Sequence, residues 1–400
     1  MTRPLLLSYG GGHANIIIAV ARELTRRGAA FDLIGLTTAF AAFQRAGLAP
    51  QDVTALVDPA ADAVHFAAVE HYLPRETHPD ISAAQTHAYF ALGFADLTAR
   101  YGADEAHRLV SAQGRKAFEP VSIFARHFGR TTPSVVVATT SPRFELAAIR
   151  AARRCDVTSL ALGDHFLVGE SAAIISGDHA DHLVVLAEAV AQRLRAFGGP
   201  LPEMHVLGNP AFDPLAPQRQ DAARRAQLRE RLGFTGKRVL FWPLGGAAQS
   251  GSGEALLTAG EVAALLDPIM CDGGDWSYFM RAHPNWPVKH PQLCPPDMTP
   301  EDCLLASDLV VAESTTLGLQ ALLRGIPAIA FGHADLTQYP HFGWASLSHS
   351  ATELRALMVS GDYVQPPSEL AELVGKSASR VADLIENLQN APALNLSGHA

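Results

Sequence analysis

Leu5-Leu6-Leu7-Ser8-Tyr9-Gly10-Gly11-Gly12-His13 stands near the start of the chain, and its reading decides the fold. Leu5 to Ser8 is a short apolar run. Beyond the three glycines, Ile17, Val20, Ala21 and Leu24 recur at the i, i+3, i+4, i+7 spacing of one helix face. Gly28 sits where such a helix stops, and residues 31–36 are apolar again. A strand, a glycine turn, a helix and a second strand form the unit from which parallel sheets covered by helices are built. The alternation resumes with strands expected at 135–138, 157–162 and 182–186 and a helix at 144–154, which makes one α/β domain.

Turn formers then cluster in Gly198-Gly199-Pro200-Leu201-Pro202 and Gly208-Asn209-Pro210-Ala211-Phe212-Asp213-Pro214, around one short strand at 204–207. The domain boundary is placed here, between 207 and 208. A polar helix at 218–232 carries Arg219, Arg224, Arg225, Arg229 and Arg231; Asp221 and Glu230 interrupt its charge, so it reads as a solvated face rather than a membrane-surface patch. A second βα series follows: strands at 239–242, 277–281, 309–312 and 328–331, with helices at 254–266, 300–306 and 316–323, the last closed by Gly325.

The 400 residues suit roughly two to three domains, and 48% hydrophobic against 18% charged residues suits large buried cores. The 31 Lys and Arg against 40 Asp and Glu leave a net charge of -9, with no basic block of the kind a nucleic-acid surface needs. No apolar run approaches the roughly 18–20 residues of a membrane helix, and Met1-Thr2-Arg3-Pro4 leads into a strand without a cleavage site, so a cytoplasmic location is expected. Cys155, Cys271, Cys294 and Cys303 have no C-x-x-C spacing and read as reduced thiols. Residues 55–130 are rich in histidine (His65, His71, His78, His87, His107, His127), but none pairs with a carboxylate at a ligand spacing, and no metal site is expected.

Three places carry the residue types for chemistry. Gly10 to His13, between a strand and a helix, offers bare amides to an anion at Gly11 and Gly12, and His13 as a general base or substrate ligand. It is not the dinucleotide fingerprint, because Asn15 stands where a glycine would be needed and Leu36-Thr37-Thr38 has no acid at the end of the second strand. A nicotinamide cofactor is therefore not expected. Pro243-Leu244-Gly245-Gly246 opens a second glycine-rich loop that could cradle phosphate but lacks the Lys-Ser/Thr ending of a triphosphate loop. Arg281-Ala282-His283-Pro284-Asn285 and Glu313-Ser314-Thr315-Thr316 each follow a strand, where open α/β sheets place ligands. The hydroxyls of Ser314, Thr315 and Thr316 suit phosphate oxygens, and Gln320, one turn on, could reach a ribose.

These motifs, in this order, resemble the GT-B superfamily of nucleotide-sugar glycosyltransferases, UDP-N-acetylglucosamine 2-epimerases and capsule or teichoic-acid polymerases. The glycine loop at 10–13 resembles their N-terminal loop, Gly208-Asn209-Pro210 the stretch that opens their C-terminal domain, His283-Pro284 their His-Pro motif, and 307–328 their phosphate and ribose signature. The resemblance implies two Rossmann-like domains facing across a cleft, an acceptor-side domain at 1–207 and a donor domain at 208–367. A last helix at 368–390 would cross back to the first domain, ahead of a tail at 391–400. It further implies a nucleotide-sugar co-substrate, UDP-linked or CMP-linked, with no other cofactor.

Departures separate the members. Thr139-Thr140-Ser141-Pro142-Arg143 stands where the epimerases carry a catalytic carboxylate, and Gln320-Ala321-Leu322 where they carry a ribose-binding glutamate. The E-x7-E motif of many retaining transferases is missing, which favours inversion. The expected activity is glycosyl transfer to an acceptor hydroxyl, inverting and metal-independent, with His13 or Asp164 as base. Asp164 belongs to Leu162-Gly163-Asp164-His165 at another strand end. Glu145 is a further cleft carboxylate or an exposed acid at a helix start. Arg281, His283, Gly245, Gly246 and Ser314 to Thr316 would hold the nucleotide phosphates. Epimerisation or hydrolysis of the nucleotide sugar without an acceptor, and binding without catalysis, are the alternatives.

Overall fold

Short apolar runs joined by helical crossovers can pair only in parallel, because each helix returns the chain to the same end of the sheet. A computed structural model of the chain, which describes residues 2–215, 221–245, 255–272, 275–283, 286–332 and 337–390, has this arrangement twice. Residues up to Ala211, together with those from Lys376, form one unit, and Phe212–Gly375 the other. The first unit thus ends a few residues beyond Leu207, and the second retains residues 368–375.

In the first unit the strands are β1 (Leu5–Ser8), β2 (Asp32–Gly35), β3 (Gln51–Asp52), β4 (Val135–Thr139), β5 (Thr158–Leu162), β6 (His182–Val185) and β7 (Glu203–Val206). They form one parallel sheet in the order β3-β2-β1-β4-β5-β6-β7. Strand order reverses between β1 and β4, where Leu5 pairs with Val136 and Leu6 with Val137. The chain leaves these two neighbours in opposite directions, which opens a crevice at their carboxyl ends.

The helix Gly12–Arg26 buries Ile17, Val20 and Leu24 on this sheet, as its periodicity requires. Val381, Ala382 and Ile385 of the C-terminal helix Ser377–Asn390 complete the same core. Arg27 ties the two helices together, donating to Asp383 at 2.6 Å, Glu386 at 3.1 Å and the Ser379 carbonyl at 2.9 Å. The single helix expected over 368–390 is broken: a 3-10 turn occupies Ser368–Leu373 and the α-helix begins at Ser377, on either side of Gly375 with its φ of 84°.

The second unit contains β8 (Arg238–Pro243), β9 (Trp276–Arg281), β10 (Leu309–Ala312), β11 (Ala328–Phe331) and β12 (Ser346–Ser348), parallel in the order β12-β11-β10-β8-β9. Here the reversal falls between β10 and β8. The helix expected at 254–266 runs instead over Ala259–Asp272, past Pro268. Most side chains of the arginine-rich helix, Asp221–Arg231, are exposed, as the solvated-face reading expects, and Arg219 lies outside the described residues. Arg225 and Arg229 both reach Asp308, at 2.6 and 2.5 Å, Arg224 reaches Asp302 at 3.1 Å, and Arg231 pairs with Asp297, so its charge is neutralised within its own unit. Cys294 and Cys303, unpaired by any spacing rule, lie with their sulfurs 3.8 Å apart as free thiols. Among the described residues no helix is long and apolar enough to cross a membrane.

Ile385 is fully buried in the first core although it lies far from it in sequence. Ile385→Ala is expected to cost about 2–5 kcal/mol, read as a lowered urea midpoint at unchanged slope.

Candidate active site

At the reversal of the first sheet the glycine turn meets β4. Gly10 has a φ of 147° and Gly11 one of 59°. A Cβ on Gly10 would stand 2.0 Å from Thr38 Oγ1, so only glycine lets the turn close against the start of the helix Thr38–Arg45. Gly11 and Gly12 are exposed, and the next residue, His13, is half-buried in the first turn of its helix. Its Nδ1 lies 2.9 Å from Thr139 Oγ1, at the end of β4.

Thr139 leads to Glu145. The structure places Glu145 neither in an open cleft nor on the surface, because it is fully buried in the first turn of the helix Phe144–Arg154. Its carboxylate receives Ser8 Oγ at 3.2 Å, Thr139 N–H at 2.8 Å, the Tyr9 N–H and the Thr139 hydroxyl. Burial pushes this carboxyl up, and the His13 charge together with the Thr139 and Tyr9 donors opposes the rise. Glu145 therefore joins the ends of β1 and β4 and, through Thr139, reaches His13.

Asp164, beyond β5, is bonded to His165 Nδ1 at 2.8 Å, and its carbonyl accepts from the amide of buried Asn209. Burial works to raise its pKa, but the His165 hydrogen bond and the charges of His165 and His13 outweigh it and hold Asp164 below the ordinary carboxylate value. Arg143 belongs to the same surroundings and was not singled out by sequence. It is held at a φ of 70°, a strained conformation for a side-chain-bearing residue. Its guanidinium lies 4.6 Å from the centre of the Tyr9 ring. Beside Tyr9 opens a cavity of about 390 Å³ whose walls include Thr37, Tyr72, Tyr89, Phe90 and Arg115. A polar Pro-Arg pair after a buried strand was the available signal, but nothing in the sequence shows the backbone strain.

In the second unit, residues far apart in sequence line one cavity of about 280 Å³: Arg281 and His283 after β9, and Thr315, Thr316 and Gln320 after β10. Thr315 Oγ1 accepts from Leu317 N–H at 3.3 Å, and Gln320 Nε2 donates to Thr316 Oγ1 at 3.3 Å, so part of the hydroxyl set is already engaged in shaping the turn. Glu301 adds a carboxylate to the rim, and Ser314 is half-buried just before these hydroxyls. At Gly245 a Cβ would stand 2.4 Å from Leu256 Cδ1, so a larger residue there would have to push that side chain aside. Gly246, Pro284 and Asn285 lie outside the described residues.

Glu313 occupies in this sheet the place that Glu145 holds in the first. It follows β10, is 5% exposed, and accepts from Trp242 Nε1 of β8 at 3.3 Å and from Leu257 N–H at 3.0 Å. Burial lifts it to about 7, against these two donors. The sequence showed it only as the first residue of a hydroxyl-rich loop.

No protein-family model matches the sequence, and no curated protein matches it. Solved structures do resemble it in fold. A UDP-N-acetylglucosamine 2-epimerase of Methanocaldococcus jannaschii superposes with a TM-score of 0.56 at 12% identity, over 97% of this chain and 100% of that one. A putative UDP-N-acetylglucosamine 2-epimerase of Listeria monocytogenes gives 0.56 at 14%, over 97% and 96%. MurG of Acinetobacter baumannii gives 0.52 at 12%, over 97% and 100%. With its two doubly wound parallel sheets, the chain has the GT-B fold.

An acid whose folded-state pKa is raised contributes stability that is complete below its unfolded value and is lost as pH rises through the folded one. With Glu313 lifted from 4.5 to about 7, wild type is expected to lose about 2–3 kcal/mol relative to Glu313→Gln between pH 5 and pH 8. Paired urea unfolding curves at the two pH values check this; a constant difference would contradict it.

Proposed function

We propose that this protein is a glycosyltransferase that moves a sugar from a nucleotide-sugar donor to an acceptor hydroxyl, with His13 as the base. The chain His13–Thr139–Glu145 carries the reading. Two backbone N–H groups donate to the Glu145 carboxylate, the pattern of its ionised form, and the Ser8 and Thr139 hydroxyls bring its donors to four. Thr139 Oγ1 then turns a lone pair to His13 Nδ1, which places the imidazole proton on Nδ1 and leaves Nε2 as the acceptor. A histidine oriented by a buried carboxylate is the arrangement that activates a hydroxyl nucleophile, here with one hydroxyl between the two groups.

In the reaction the acceptor oxygen forms its bond to the anomeric carbon as the bond from that carbon to the donor phosphate breaks. The acceptor proton passes to His13 Nε2, and attack opposite the leaving group inverts the configuration. Within the second unit, the Arg281 guanidinium offers positive charge and donors of the kind that suit a nucleotide diphosphate. The hydroxyls of Thr315 and Thr316 and the Gln320 amide suit phosphate and ribose oxygens. The cavity beside Tyr9, walled by tyrosines and phenylalanine, suits the acceptor. UDP-N-acetylglucosamine is the first donor to test, since a Neisseria meningitidis enzyme of the same fold is described as bound to it. Epimerisation without an acceptor is the second reading, supported by the epimerases among the fold's neighbours. It is weakened here because Glu145 is buried and Asp164 is bonded to His165.

Ligand-observed NMR with UDP-, CMP-, GDP- and dTDP-sugars, without acceptor, separates the two. Binding of one nucleotide class without conversion is the expected result, and prompt epimerisation or release of free sugar would overturn the transferase reading. Once an acceptor is in hand, His13→Ala is expected to lower kcat by roughly 10²–10⁴-fold with donor affinity retained. Thr139→Val should lower kcat in the same direction with the donor KM unchanged. Arg281→Ala should weaken nucleotide binding by roughly 10–100-fold, measured by calorimetry with UDP.

A further inference from the structure

Two histidines of residues 55–130 are bonded to neutral groups of the protein. His87 Nε2 bonds the Phe66 carbonyl at 2.8 Å, and His107 Nδ1 the Tyr72 hydroxyl at 2.9 Å. Among the described residues, the one group of three potential metal donors is His182, Glu203 and His205. These residues lie on β6 and on β7, the edge strand of the first sheet. Parallel pairing sets His182 opposite Glu203 and Val184 opposite His205, and the two-residue period puts all three side chains on one face.

The donor atoms are already close. His182 Nδ1 and His205 Nε2 are 3.2 Å apart, His182 Nδ1 lies 3.4 Å from a Glu203 oxygen, and His205 Nε2 lies 3.8 Å from the other. A tetrahedral ion with bonds of about 2.0–2.1 Å has edges of about 3.3–3.4 Å, so the two imidazole nitrogens and the nearer Glu203 oxygen already supply two edges of such a site, with the other carboxylate oxygen close to His205. Two imidazole nitrogens facing each other at 3.2 Å share a single proton, whose place a cation can take. The Glu203 side chain is 67% exposed, which leaves a route for an ion and room for a solvent ligand.

We infer that His182, Glu203 and His205 bind one divalent transition-metal ion of the zinc class, with a fourth position open to water. Two imidazoles and a carboxylate suit Zn2+, Co2+ or Ni2+ rather than the all-oxygen sites of Mg2+ or Ca2+. His182 and Glu203 are the first residues of their strands, at the opposite end from the strand ends that carry His13 and Asp164. The ion would therefore fasten the edge strand to its neighbour and take no part in glycosyl transfer. The inference does not depend on the proposed activity.

The test uses the full chain, freed of metal by chelator dialysis and titrated with Co2+ alone and then with Zn2+ alone. The expected result is one equivalent of Co2+ with the visible absorption of a four- or five-coordinate ion, displaced by one equivalent of Zn2+, and a rise in Tm with Zn2+. His205→Ala and Glu203→Gln should each weaken Zn2+ binding by at least roughly tenfold and abolish the Tm rise, with circular dichroism unchanged. Glu203 is exposed enough that its variant folds even if a His182 variant does not. Binding that persists undiminished in both variants, through other histidines, or no binding at a tenfold excess of Zn2+ over protein, would overturn the site.

Discussion

The carboxylate of Glu145, wedged between the ends of β1 and β4, is the constraint on which the first unit's site depends. Where strand order reverses, the chain departs from two adjacent strands in opposite directions, and their last N–H groups lose the partners a continuing ladder would provide. Burying those groups unpaired would cost on the order of 1–3 kcal/mol each. A carboxylate from the next helix takes both, and in turn its own burial is tolerable only because every donor around it points inward. His13 is held at one remove, through Thr139, so the orientation of the half-buried imidazole is set by a group that no ligand can touch.

The second sheet has a different strand order and also buries a carboxylate beside its reversal, with different donors. Glu313 bridges β10 and the Trp242 indole of β8, again across the reversal. The two carboxylates differ in how fully they are satisfied. The Glu145 carboxylate has four donors and that of Glu313 two, the Leu257 N–H and a longer bond from the Trp242 indole, and burial carries Glu313 to about 7.

Much of the fold was legible because it is written in local patterns. The helix Phe144–Arg154 and the strands Leu309–Ala312 and Ala328–Phe331 appear where periodicity places them. The misreadings also have local causes. β3 is only two residues long and β12 three, too short to show any period. The helix Ala259–Asp272 tolerates Pro268, which a reading by breakers would not carry through. In the site, Arg281, His283, Thr315, Thr316 and Gln320 were legible as strand-end motifs and do line one cavity. Glu145 was visible as an acid near a strand end, but its burial was not, since that depends on donors from Ser8 and Tyr9, well over a hundred residues away.

By itself the sequence determined the class of architecture: alternating apolar runs and amphipathic helices leave parallel, doubly wound sheets as the way to bury both faces of each strand. It also determined the residue types at the strand ends, because glycine, hydroxyl and basic residues there are read from a few neighbouring positions. Tertiary structure alone decided which groups became partners. Whether an acid is a base, a clamp or a metal ligand depends on the donors and the dielectric around it. For Glu145, Glu313 and Glu203 those surroundings come from strands brought together by pairing rather than by sequence.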